Sequence, residues 1–122
     1  MHGLGADEAD AVLHGSSAHL DECLPLLSER SQELAMGIER ALAFMAMDGM
    51  EGSGVGTLYL CGGGARIPRL ADVVSDRLRC RVEVANPLQR LRVHPDAGAQ
   101  VPGEELAPML MLPIGLALRT AA

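Results

Sequence analysis

Apolar residues recur along the first third of the chain at the spacing of one helical face. Leu20, Leu24, Leu27, Leu34, Ile38, Ala41 and Met45 follow one another at steps of three, four or seven, and Glu29, Arg30, Glu33, Glu39 and Arg40 fall on other faces. Pro25 fits only the first turn of a helix or a break, so the spacing predicts a regular helix from about Cys23 to Asp48. Such a stripe is far more often core than a cofactor box. Ahead of it, Asp7 to Leu13 predicts a short helix that stops near Gly15 and the pair Ser16-Ser17. Behind it, Gly49 to Gly56 reads as a loop. The period then changes. Thr57 to Cys61 is a short apolar run that predicts a buried strand, with Cys61 as a buried thiol, and it passes directly into Gly62-Gly63-Gly64-Ala65. Pro68 suits the first turn of a following helix, whose stripe is Leu70, Val73, Val74 and Leu78. Arg81 to Ala85 alternates as a strand, Asn86-Pro87 is a turn, and Leu88 to Val93 can extend or pair. His94 to Gly103 reads as a loop, and Glu104 to Arg119 as a last helix kinked at Pro113. Helix, strand, glycine turn, helix, strand is an α/β pattern, with no internal repeat.

Composition narrows the function. The 122 residues are the size of one domain. Phe44 and Tyr59 are the only rings, so aliphatic side chains and methionine must fill the core. A formal charge of -6 and the lack of aromatic platforms both argue against nucleic acid, and arginine is the only basic side chain besides histidine. Cys23, Cys61 and Cys80 form no CxxC pair and no disulfide framework, which fits a reducing, cytoplasmic setting. The four histidines lack zinc-ligand spacing and read as solvated or lightly paired. The first residues carry no basic region followed by an apolar stretch. The longest uncharged, largely apolar run, Leu106 to Leu118, is interrupted by Pro108 and Pro113 and is shorter than the about 20 residues a membrane span needs. Direct membrane insertion is not expected.

The glycine triplet is the feature that could carry chemistry. A strand ending in three glycines lets the backbone approach a ligand without an intervening Cβ, and amides beside a helix start can bind phosphate or ribose oxygens. A tight packing corner explains the same residues equally well. The pattern is neither a Walker A loop nor a GxGxxG fingerprint. No nucleophile, base and acid set is recognisable.

Leu58-Tyr59-Leu60-Cys61-Gly62-Gly63-Gly64-Ala65-Arg66-Ile67-Pro68 resembles the adenosine motif of the actin-like ATPase superfamily, a motif shared with the cell-division protein FtsA. The flanks are similar to the PilM family of type IV pilus assembly. Val82-Glu83-Val84-Ala85-Asn86-Pro87 resembles that family's VEVANP segment, and Pro113-Ile114-Gly115-Leu116-Ala117-Leu118-Arg119 its terminal VGLALR. Gly5 to Gly15 resembles its EEAExxKxG stretch, and Glu33 to Leu42 its ELxxEIxRSL helix. The resemblance covers almost the whole chain in order. It implies the carboxy-terminal part of an actin-like, ribonuclease H-like fold, an incomplete sheet flanked by helices. Residues 1–56 would form a helical subdomain with a long connecting helix, and residues 57–122 an α/β subdomain carrying the glycine loop. It further implies a cytoplasmic scaffold, peripheral to the inner membrane, that binds ATP with Mg2+ in a cleft and docks to the tail of the inner-membrane protein PilN. Gly62, Gly63, Gly64 and Ala65 match the adenosine-binding loop, and Arg40 matches the helix arginine near the nucleotide. The groove for PilN, the phosphate motifs and the magnesium ligands belong to family segments ahead of Met1, so no residue here is assigned to hydrolysis.

Two departures open an alternative. The family helix usually has Glu where this chain has Gly37 and Ser where it has Ala41. Those losses fit an interaction module with a decayed nucleotide pocket. A third reading is an ATPase whose catalytic half is not in this chain. An incomplete sheet would expose an edge and apolar helix faces, which favours self-association into a homo-oligomer or pairing with the missing half.

Overall fold

The computed structural model describes residues 3–47, 54–100 and 103–120. It opens with α1, Ala6–Leu13. Gly15, at φ 73°, ends it: its amide reaches Val12 O at 3.0 Å and the Ser16 amide reaches Ala11 O at 2.9 Å. That is the left-handed closure glycine makes at little cost. A Cβ on Gly15 would sit 3.4 Å from Pro68 Cγ, so this turn lies against the segment beyond the glycine triplet.

Helix α2 spans Leu20–Met47. It starts ahead of the expected Cys23, and Pro25 is carried inside it. The missing amide of Pro25 costs one bond, to the carbonyl of Asp21. Asp21 is exposed, so water can satisfy that carbonyl. The expected helix end at Asp48 and loop residues 49–53 lie outside the described residues; Gly54 to Gly56 has no regular structure.

Strands β1, Thr57–Leu60, and β2, Arg81–Val84, pair in parallel with Leu58 opposite Val82 and Leu60 opposite Val84. The ladder is prolonged by the Ala85 amide donating to Leu60 O at 2.8 Å. Between the strands runs α3, Leu70–Leu78, the crossover that parallel strands need. Pro68 stands just ahead of α3 instead of in its first turn, because Arg69 takes a left-handed conformation (φ 67°) at the helix entry.

The core lies where α2 crosses α3 over one face of the sheet. Ala35 and Val74 are fully buried and Leu70 nearly so, with Ile38, Leu58, Leu60, Ile67, Leu78 and Val82 packed around them. A small residue on α2 lets the helices approach, and an ion pair from Glu39 to Arg77 at 2.9 Å borders the contact. The other face of the sheet is open. Tyr59 is 62% exposed and Cys61 is exposed. The expected fully buried strand and buried thiol are therefore corrected: period-2 alternation turns Tyr59 outward, and Cys61 lies past the last strand residue, on the turn.

The region after β2 departs most from expectation. Leu88 to Val93 adds no strand; Pro87–Arg90 forms a 3-10 turn, started by Asn86, whose Oδ1 accepts from the Leu88 amide at 3.0 Å. Within the expected loop from His94, α4 forms over Pro95–Gln100, with proline at the first helical position where its missing amide is harmless. The last helix is split. A helical turn α5, Gly103–Leu106, passes into a 3-10 stretch, Ala107–Leu110, and then into α6, Met111–Thr120. The break falls at Pro108, and Pro113 sits in the first turn of α6, where it is tolerated.

Among the described residues no helix is long and apolar enough to cross a membrane. The architecture is helix-rich α/β with a two-stranded parallel sheet.

Candidate functional site

The four residues of the glycine loop are held in one tight turn at the carboxyl end of β1. Gly62 has φ 90° and ψ 178°, a conformation essentially restricted to glycine. A Cβ there would meet nothing within 4 Å, so the position is open to the surroundings. The Gly62 amide donates to Pro108 O at 2.8 Å, which ties the turn to the stretch leading into α6. Gly63–Arg66 then makes a 3-10 turn, closed by the Ala65 amide on Gly62 O at 3.2 Å and the Ile67 amide on Gly64 O at 3.1 Å. Gly63 and Gly64 are exposed and Ala65 is buried.

Beside this turn lies a cavity of about 430 Å³. Its walls are the segment from Ala65 to Arg69 and the chain leaving β2, Val84 to Asn86, so it sits at the carboxyl ends of both parallel strands. That is where open α/β sheets place their ligands, since the chain diverges there and leaves a crevice. Arg66, Arg69, Asp72, Asn86 and Gln89 supply polar groups, and Ile67 and Pro68 supply apolar surface. Ala107 and Pro108 form part of the wall.

Of the residues picked out by sequence, Ala65 lines this cavity, and Gly62, Gly63 and Gly64 form the turn leading into it. Arg40 is exposed on α2 and does not line it. Its neighbour Glu39 is taken up by Arg77. Asp72, Asn86, Gln89 and Pro108 were not anticipated. Asn86 was visible as a turn residue, but Asp72 and Gln89 look like ordinary surface positions, and Pro108 like a helix breaker.

The cavity offers an adenosine-sized group apolar surface from Ile67 and Pro68, amide and guanidinium donors, and a glycine turn with open space at Gly62. Among the described residues there is no group of three or more histidine, cysteine or acidic side chains able to hold a metal ion. Among the described histidines, His19 lies 3.0 Å from the Glu8 carboxylate and 3.4 Å from that of Glu22, and His14 Nδ1 lies 2.8 Å from the Asp10 carbonyl oxygen.

A parallel strand pair with a glycine turn and a cavity at its carboxyl ends places the chain among α/β proteins with a ligand-type crevice. The family described as type IV pilus assembly protein PilM matches residues 1–121, and the chain belongs to it. Membership implies a role in type IV pilus assembly and an actin-like fold. A comparison with curated proteins returned no match.

Proposed function

We propose that the chain serves type IV pilus assembly as a cytoplasmic scaffold that contributes the adenosine side of an ATP-binding cleft. The observation that carries this reading is the cavity of about 430 Å³ at the carboxyl ends of both strands, with Ala65 of the glycine turn in its wall. In this reading Gly62, Gly63 and Gly64 let the nucleoside approach the backbone, and Arg66, Asn86 and Gln89 contact the base or ribose. Arg40 would meet the nucleotide from α2. Magnesium would accompany the phosphates without a ligand set from these residues. Nucleotide state would then govern docking to a PilN-like tail and peripheral attachment to the inner membrane.

A second reading, an interaction module without nucleotide, is favoured by α2. Gly37 is exposed, with nothing within 4 Å of where a Cβ would stand, and Ala41 is exposed as well. The helix therefore offers no polar side chain at these two positions beside Arg40.

Titration of the labelled chain with ATP, with and without magnesium, followed by amide NMR separates the two. Shifts confined to Gly62 to Arg66 and Asn86 to Gln89 are the expected result. A dispersed spectrum that stays unchanged at millimolar ATP overturns nucleotide binding and leaves the interaction module.

A further inference from the structure

We propose that the groove between α1 and α2 receives α6 of a second copy of this chain, so that copies associate head to tail. The groove has a volume of about 410 Å³ and an almost wholly apolar lining that includes Leu4, Val12, Leu13, Cys23, Leu26 and Leu27. Val12 and Cys23 are buried at its floor, and Leu13 and Leu26 stand at its rim, about 40% exposed. A volume of this size takes ligand-sized apolar groups.

The same chain carries the matching knob. On α6, Leu112 and Leu116 are 71% and 53% exposed. Four residues apart, they share one helical face. The helix has a single charge, Arg119. At about 1.5 Å per residue α6 is about 15 Å long, and α1 is about 12 Å long, so one can lie along the other.

Charge complementarity selects the second copy as the occupant. Ten of the sixteen acidic residues but only two of the ten arginines fall within residues 1–53, a formal balance of -8 against +2 for the remainder. Around the groove, Asp7, Glu8 and Asp10 lie on α1 and Asp21 and Glu22 on α2, and no arginine precedes Arg30. At the α6 end, Arg119 lies on the helix itself and the 3-10 turns bearing Arg66 and Arg90 pack against the stretch from which α6 emerges; with Glu104 and Glu105 on α5 counted against these three arginines, this end is balanced to slightly positive where the groove is acidic. Opposite fields orient the encounter and disfavour groove-to-groove pairing. Each copy carries both a groove and a helix. The contact is therefore heterologous and extends beyond two copies.

The test is sedimentation velocity on the full chain, without nucleotide, from micromolar to millimolar concentration at low and high salt. The wild type is expected to grow in mass with concentration, and less so at high salt. Leu26→Glu blocks the groove and Leu112→Glu blocks the helix; both replace exposed side chains, and circular dichroism checks that each variant folds. Each alone is expected to remain monomeric. Mixed in equal amounts they are expected to form a 1:1 pair, since one retains the helix and the other the groove. Leu116→Gln gives a second, milder block of the helix. The proposal is overturned by a wild type that stays monomeric, by association that survives both glutamates, or by a mixture that fails to pair while the wild type associates.

Discussion

Helices α3 and α6 are nearly the same length and are placed oppositely to their apolar content. Helix α3, Leu70–Leu78, carries four charged or hydroxyl side chains among nine residues, yet Val74 is fully buried and Leu70 nearly so. Helix α6, Met111–Thr120, has one charged residue, and Leu112, Leu116 and Leu118 are all more than half exposed. The difference is opportunity. Helix α3 has α2 on one side and two strands on the other, and its stripe matches that width. Helix α6 follows a proline-broken stretch and packs chiefly against that stretch. Hydrophobicity predicts burial only where the chain offers a surface to bury against; otherwise it marks a surface awaiting one.

The sharpest way to break this contrast is to truncate the packed side. Leu70→Ala removes a buried side chain from a core of few residues, and the expected loss is about 2–3 kcal/mol, the low end for such truncations because a small core can partly collapse. That is a large share of the about 5–15 kcal/mol a domain has. Urea denaturation reads it directly. A loss under about 0.5 kcal/mol would mean that the α2–α3 junction does not carry the stability of the fold.

The joint between the two regions is Gly62, whose amide holds the Pro108 carbonyl. Gly62→Ala meets no steric obstacle, so its cost is backbone strain alone, about 1–3 kcal/mol at this φ and ψ. Native-state hydrogen exchange should show protection falling at residue 62 and across Ala107 to Leu110 before it falls in α3. Uniform loss would make the two regions one cooperative unit.

The parts legible in the sequence are those whose packing partners are close in the chain. The β1–α3–β2 unit could be read from period alone, because Leu58, Leu60, Leu70, Val74 and Val82 bury against one another locally. The stop at Gly15 was legible because glycine there has one conformational use. The stretch beyond Asn86 was not. Proline positions were visible, but which of Pro108 and Pro113 breaks the helix depends on the Gly62 amide reaching back to residue 108, a contact across more than forty positions. Cys61 was misread for a similar reason: the apolar run continues one residue past the strand that buries it. At the candidate site, the glycine turn was visible and the far wall was not, since Asp72, Asn86 and Gln89 converge only once the crossover is in place.

The smallest effect is expected where the sequence is most apolar. Leu112→Ala deletes a large aliphatic side chain from α6, but at 71% exposure little of its surface leaves water on folding of the isolated chain. Alanine is at least as good a helix former as leucine, so the two small terms oppose each other. At micromolar concentration, below self-association, the expected change is within about 0.5 kcal/mol. Against the Leu70→Ala loss this is several-fold less, from the same chemical deletion. Should Leu112→Ala instead cost as much as Leu70→Ala in dilute solution, α6 would be packed within its own chain, and the contrast between the two helices would vanish. If the cost appears only as protein concentration rises, the leucine is buried by another molecule, and the exposed face of α6 is a contact surface and not a defect of packing.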